Sequence, residues 1–399
     1  MRLSSSTRAQ FQTLLDAHTL THLDDPRFAI VYLSPEDPPL MVSRREFRDA
    51  CMQYAAALQQ AGIQSRDLVI IAHTQNLESI FAFWAALFVG AIPSMMPTLT
   101  EKLDPEIYMQ SLEELVKLSG VKAILTTAAF QMTLQERIDC PIYSSEILRQ
   151  GDRENFQYIQ ADSHEIAFLQ HSSGTTGLQK GVALSHQAVL NQLAHYSDAI
   201  ALNSDDVIVS WLPLYHDMGL IAGFLMPLIQ GIPLVLMSPF DWVKSPVMLL
   251  KAIHDYHGTL CWLPNFAYHH CARRIRQRDS DGLSLESLRM LINCSEPVHH
   301  HSHVLFSERF GVPLDKLSVC YAMAENTFAV TQTPPGQPAR LDLIDRDVLE
   351  QRLYAQPVDE TTVNPLTQVS CGAAINGTQI RIMGAKGEVL ADRGVGEIA

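Results

Sequence analysis

The sequence is short of basic residues. Lys and Arg number 29 against 43 Asp and Glu in 399 residues, a formal charge of −14. A nucleic-acid binder presents a basic face, so this balance argues against that class. It also disfavours attachment to an anionic membrane by charge alone. Cysteine is sparse as well: seven residues lie scattered, with no C-x-x-C pair. That pattern suits reduced thiols in a cytosolic protein rather than a disulfide framework. The start, Met1-Arg2-Leu3-Ser4-Ser5-Ser6, lacks the apolar core of a secretory leader. No uninterrupted apolar run is long enough to span a bilayer. Residues 80–97 are broken at Gly90 and Pro93, and residues 218–237 at Pro227, Gly231 and Pro233. Neither a Walker A loop nor a G-x-S-x-G elbow is present.

What is present is an apolar content of 47%, enough for a sizeable core in two or three lobes. The two broken runs belong to a weak internal repeat. Asp67–His73 reads as a strand, followed by a helix over 77–89, Gly90-Ala91-Ile92-Pro93 and a further strand. Asp206–Leu212 reads as a strand, followed by a helix over 218–229, Gly231-Ile232-Pro233 and the strand Leu234–Met237. Strand–helix–strand units of this kind build parallel sheets. The predicted fold is therefore α/β, with two similar parallel-sheet lobes at 1–185 and 186–331. More strand–helix units follow, at 245–263 and 301–320. After the turn-rich Thr333–Pro338, residues 332–399 are predicted to form a small β-barrel-like subdomain. Within it, Leu341–Tyr354 is charged and spaced like a helix.

Residues 171–181, His-Ser-Ser-Gly-Thr-Thr-Gly-Leu-Gln-Lys-Gly, carry the strongest chemical signal. Ser172, Ser173, Thr175 and Thr176 offer hydroxyl donors. Gly174 and Gly177 let backbone N–H groups approach an anion, and Lys180 adds a mobile charge. The stretch lies between a predicted strand at 165–170 and a helix over 186–200 that Ser185 can cap. This is a polyphosphate-handling arrangement; a polar surface loop is the plain alternative.

Three more segments sit where predicted strands end, the edge at which open α/β sheets bind ligands. Trp211-Leu-Pro-Leu-Tyr-His216-Asp217-Met218-Gly219-Leu220 holds two polar residues; the plain reading is a turn histidine with Asp217 as helix cap. Asn293-Cys294-Ser295-Glu296-Pro297 is a polar turn. Tyr321-Ala322-Met323-Ala324-Glu325 offers an aromatic face for a purine and a lone carboxylate for Mg²⁺. Core packing and a surface charge are the plain readings there. Histidines cluster at 299–303 and 269–270, but consecutive histidines on a helix point to different faces, and no zinc site is expected.

The four segments, in this order and with Leu263-Pro264-Asn265-Phe266-Ala267-Tyr268, resemble the acyl-adenylate-forming enzymes (acyl-CoA ligases, luciferases and peptide-synthetase adenylation domains). Within them the chain is most similar to the fatty acyl-AMP ligases. Three departures stand out: Gln179 where proline is usual, Cys294-Ser295 where Gly-Ala is usual, and Ala322 where glycine is usual. The resemblance implies ATP-dependent activation of a medium- or long-chain fatty acid to acyl-AMP, with ATP and Mg²⁺ as cofactors. It implies a carrier-protein phosphopantetheine as acceptor, and no nucleic-acid partner or membrane span. It assigns Ser172, Ser173, Gly174, Thr175, Thr176, Gly177 and Lys180 to the β- and γ-phosphates, and Glu325 to the metal. Cys294, Ser295, Glu296 and Pro297 would flank the adenine, with Tyr321, Ala322, Met323 and Ala324 opposite. His216, Asp217, Met218, Leu220, Asn265 and Phe266 would line the acyl site. His216, Glu325 and Lys180 are the expected catalytic groups.

The resemblance further places a ribose-binding Asp and a lysine-bearing C-terminal domain beyond residue 399. It treats 338–367 as an insertion that disfavours coenzyme A as acceptor. Two other readings stay open: an acyl-CoA ligase, and a catalytically silent nucleotide- or lipid-binding module.

Overall fold

The computed structural model describes residues 2–99, 104–171 and 181–399. A six-stranded sheet has the order 142–144, 123–126, 68–72, 92–96, 166–171, 181–185. It is parallel except for its last pair. A nine-stranded sheet has the order 373–374, 329–332, 317–322, 290–293, 260–263, 208–210, 234–237, 28–33, 40–43. Its six central strands are parallel and its margins antiparallel. Strands 68–72, 123–126, 234–237, 260–263 and 290–293 are almost continuously apolar and almost wholly buried, as strands covered on both faces must be.

The repeat is real in three dimensions. Leu68–Ala72 pairs directly with Ile92–Met96, and Ile208–Ser210 with Leu234–Met237, each across a helical crossover. Gly90 (φ 71°) and Gly231 (φ 66°) close the two crossovers in the left-handed region, where glycine carries no Cβ penalty. The helix Leu77–Phe88 is buried from Ser79 to Phe88, a helix apolar all round because it is enclosed on all sides. Phe83 meets Phe168 of the smaller sheet and Phe224 of the second crossover, both at 5.6 Å between ring centroids. Among the described residues no helix is long and apolar enough to cross a membrane.

Three elements differ from the sequence expectation. The strand Phe28–Leu33 pairs with Leu234–Met237, so residues 28–43 complete the larger sheet although they precede the smaller one in the chain. Residues 181–185 form a strand antiparallel to Ile166–His171, so the Gly/Ser/Thr stretch joins two strands of a hairpin rather than a strand and a helix. Ser185 does cap the helix His186–Ala199, its hydroxyl accepting from the Ala188 N–H at 3.1 Å. Lastly, Leu341–Asp345 is a strand rather than the start of a helix, because it pairs along its length with Pro365–Val369. Only Arg346–Arg352 is helical there, capped by Asp345. The subdomain after 332 contains this pair and a second two-stranded sheet, 382–383 with 397–398, while 373–374 joins the larger sheet. The seven cysteines are free thiols, five of them buried.

Candidate active site

Strands 317–322, 290–293, 260–263 and 208–210 lie side by side and parallel, so their C-terminal ends share one edge. That edge carries Tyr321–Glu325, Cys294–Pro297, Pro264–Phe266 and Trp211–Asp217 in consecutive order. Four segments distant in sequence thus meet where an open α/β sheet binds ligands.

Specific bonds tie them together. The Phe266 N–H donates to Glu296 Oε2 at 2.9 Å, so the polar turn caps the helix Asn265–Arg274. Asn265 Oδ1 accepts from Asn293 Nδ2 at 3.2 Å and from the His299 N–H at 3.1 Å. Asn293 Nδ2 also lies 3.0 Å from His303 Nε2. Ser295 takes a left-handed φ of 70°, unusual for a residue with a side chain, and its hydroxyl reaches Met218 Sδ at 3.8 Å.

Asp217 Oδ1 accepts from the Met218 N–H at 2.7 Å and starts the second crossover, which is π-helical over Met218–Leu225. Such wide turns recur at functional sites. Burial pushes the Asp217 carboxyl above the usual carboxylate range, and the nearby Glu325 charge pushes the same way; the Met218 N–H and His216 oppose both. Glu325 sits exposed in the short 3₁₀ turn Ala324–Asn326 with no ion-pair partner among the described residues.

The edge opens into a cavity of about 770 Å³. Trp211, His216, Met218, Gly219, Pro264, Phe266, Ser295 and Glu296 line one side. Thr74, Thr98 and Leu99, which follow strands of the smaller sheet, line another, so the cavity lies between the two sheets. Its wall is aromatic: Trp211 and Trp242 stack at 3.6 Å with planes 7° apart, and Phe266 sits edge-on to both at 6.2 Å. Gln75 fixes the approach segment, its amide donating to Leu212 O at 2.9 Å and its carbonyl accepting from the Leu214 N–H at 3.0 Å.

The structure brings His216, Met218, Phe266, Ser295 and Glu296 together on this cavity. Leu220 is buried in the core, and Asn265 holds the turn from behind; neither lines the cavity. Tyr321, Ala322 and Met323 are half-buried at the neighbouring strand end, beside buried Cys294 and Ala324. Ser172, Ser173, Gly174, Thr175, Thr176, Gly177 and Lys180 lie outside the described residues. The residues on either side of that stretch, His171 and Gly181, pair with each other, and the strand Ile166–His171 also pairs with Ile92–Met96. The histidine group forms no metal cluster among the described residues: His303 faces Asn293, and His269 Nε2 lies 2.9 Å from Ser302 Oγ.

Sequence reasoning missed Gln75, Phe240, Trp242 and Lys244. The rule that found the other segments applies to Trp242 too, because the helix Pro239–Lys244 follows the end of strand 234–237.

Gly219 has no room for a side chain. A Cβ there would fall 2.1 Å from Pro213 O and 2.8 Å from Pro213 C, both backbone atoms. Gly219→Ala is expected to destabilise the fold by about 1–3 kcal/mol by overpacking and to distort the cavity wall. Urea unfolding checks the first effect. A variant as stable as the parent would show that the 211–219 segment yields easily.

The model of the AMP-binding enzyme family matches residues 26–399. The chain is 28% identical over 396 residues to the medium-chain-fatty-acid–[acyl-carrier-protein] ligase JamA of Moorena producens, covering 94% of this chain and 66% of JamA. It is 29% identical over 336 residues to the long-chain-fatty-acid–AMP ligase FadD32 of Mycolicibacterium smegmatis, covering 80% and 52%. The chain therefore spans between about half and two thirds of the length of these relatives. Among solved structures, a fatty acyl-adenylate ligase from L. pneumophila in complex with acyl adenylate and pyrophosphate superposes with a TM-score of 0.89. That match has 29% identity and covers 99% of this chain and 69% of the other.

Proposed function

The chain belongs to the AMP-binding enzyme family, and from that premise we propose that it activates a medium- or long-chain fatty acid as acyl-AMP and hands the acyl group to a carrier-protein thiol. The observation that carries the reading is the apolar, Trp-walled cavity of about 770 Å³ that opens beside the Ser295–Glu296 turn. An aliphatic chain is matched by such a wall. A substrate amine would need a free carboxylate in it; Glu296 on the lining accepts from the Phe266 N–H, and Asp217 from the Met218 N–H. JamA and the L. pneumophila enzyme support the same class.

In the proposed reaction the fatty-acid carboxylate oxygen attacks the α-phosphorus of ATP. A new P–O bond forms, the bond to the β-phosphate bridging oxygen breaks, and pyrophosphate leaves with the electron pair. Two anions must approach, so positioning and charge neutralisation dominate. The cavity holds the chain, and His216 at its lining stands beside the carboxylate. The half-buried Tyr321 offers its face to adenine, with Ser295–Pro297 on the other side. The exposed Glu325 carboxylate suits a hard divalent cation, which prefers oxygen ligands; Mg²⁺ held there would neutralise phosphate charge. Ser172–Gly177 and Lys180 are proposed for the β- and γ-phosphates. In transfer, the acceptor thiolate attacks the acyl carbonyl and AMP departs.

The test is fatty-acid-dependent ATP–pyrophosphate exchange across C6 to C14 acids. Each buried methylene contributes about 0.8 kcal/mol, so apparent affinity rises roughly fourfold per carbon until the cavity is full. A flat response, or better activity with an amino acid, contradicts the reading.

A further inference from the structure

In a chain of charge −14, basic residues concentrate in one place. Arg273, Arg274, Arg276 and Arg278 fall within six positions, and all four are exposed. Arg276 and Arg278 share one carboxylate, Asp279, at 2.8 and 3.5 Å. Arg273 and Arg274 have no ion-pair partner among the described residues. Both sit in the last turn of the helix Asn265–Arg274, where they complement its dipole. That local role does not explain the arginines beyond the helix end.

The position of the helix does. Its first turn carries Phe266, which lines the cavity and is 45% exposed. Phe266, His270, Arg273 and Arg274 recur at i, i+4, i+7 and i+8, one face of the helix. The opposite face, Ala267, Tyr268 and Cys271, is buried. His270 Nε2 donates to Val243 O at 3.0 Å, joining the helix to the rim of the cavity. There Phe240 and Val243 are 47% and 43% exposed, and the exposed Lys244, with no ion pair among the described residues, follows. A single surface thus runs from exposed apolar groups at the cavity to a guanidinium cluster about 12 Å further along the helix.

We propose that this face, Phe240, Val243, Lys244, Phe266, Arg273 and Arg274, is the docking surface for an acidic helical carrier domain whose thiol arm enters the cavity. The proposal rests on the carrier-thiol reading above. Charge complementarity selects the partner: an acidic helix fits the arginines, and the apolar groups sit where its acyl-accepting arm would arrive.

The experiment compares the full-length protein with Arg273→Glu/Arg274→Glu and with Arg273→Gln/Arg274→Gln. The probe is a holo-acyl carrier domain with an acidic surface helix, and the same domain with those carboxylates changed to amides. Kd is read by direct titration, which requires no chemistry, and KM for the carrier by acyl transfer. The charge reversal is expected to weaken carrier binding tenfold or more, and the glutamine pair by less. The amide-changed carrier should lose affinity for the parent and be insensitive to the arginine variants. ATP–pyrophosphate exchange should be unaltered, which shows that the variants are folded. Carrier affinity changed by less than twofold overturns the proposal. So does parent protein that exchanges pyrophosphate but fails to bind the carrier. If charge reversal instead abolishes co-sedimentation with anionic phospholipid vesicles and spares carrier binding, the face is a lipid surface and the proposal is wrong. Absent exchange with bound carrier separates a failed function from a sound surface.

Discussion

Glu325→Gln is expected to lower ATP–pyrophosphate exchange by about 10²–10³, the loss typical when one preorganised electrostatic group is removed from a reaction centre. The amide keeps the size of the side chain and discards its charge. Glu325 is exposed in the turn Ala324–Asn326, makes no ion pair among the described residues and lies close enough to Asp217 to raise that carboxyl. A carboxylate held there without a cationic partner has no structural debt, so the substitution should leave the unfolding midpoint unchanged. The loss should deepen at limiting Mg²⁺ and shrink when the metal is raised. Asp217 gives an independent readout. With the Glu325 charge gone, one of the two influences holding the Asp217 carboxyl high disappears, and its apparent pKa should fall. An unchanged exchange rate at limiting Mg²⁺ removes Glu325 from the reaction centre.

Asp25→Ala should be the costliest single change to stability, about 3–5 kcal/mol, because it strands a buried charge. Arg44 is 0% exposed; its guanidinium meets Asp25 Oδ2 at 2.5 Å and donates to Gly231 O at 2.6 Å. Arg27 donates to the same carboxylate at 2.8 Å. Those hydrogen bonds, the Arg27 bond foremost, hold the Asp25 carboxyl well below the usual carboxylate range, against an opposing push from burial. A carboxyl depressed in the folded state contributes stability that is full above the unfolded carboxylate pKa of about 4. That contribution is lost as pH falls below it. The parent should therefore lose stability on acidification more steeply than Asp25→Ala. Pairing Asp25→Ala with Arg44→Met should restore much of the loss, since an apolar replacement of a whole buried ion pair is often close to neutral. A single variant within about 0.5 kcal/mol of the parent, the range of an ordinary surface change, would show that water reaches Arg44.

The elements legible in the sequence are those set by local chemistry. The helix Leu77–Phe88 announces itself by an apolar run closed with Gly90, and Asn76 caps it through the Ser79 N–H. The strand-end segments 211–217, 294–297 and 321–325 were legible because a buried apolar strand running into polar residues is a local pattern; Pro264–Phe266 was reached only through the family resemblance. Long-range pairing left no such mark. Nothing within Phe28–Leu33 says that its partner is Leu234–Met237 rather than a nearer strand, since both candidates are short and apolar. The strand Gly181–Ser185 is too short and too polar at its ends to stand out until Ile166–His171 pairs with it. In Leu341–Asp345 the apolar residues fall at a spacing that fits either a helix or one face of a strand, and the cross-strand bonds to Pro365–Val369 decide. Trp242 was missed because a tryptophan in a short helix reads as core. It is core, fully buried, and it shapes the cavity from behind Trp211.

The pairing of Phe28–Leu33 with Leu234–Met237 has a consequence on the ribosome. The partner strand emerges about 200 residues later, roughly 10–40 s at ordinary elongation rates. During that interval the smaller sheet can assemble, but Ala29, Ile30 and Val31, all buried in the finished protein, have no partner. Leu40–Ser43 can fold back on them as a hairpin, which leaves one apolar edge bare. Such an edge is a template for other nascent chains. Synthesis of this protein should accordingly be a phase of high chaperone demand, relieved only when translation passes Met237.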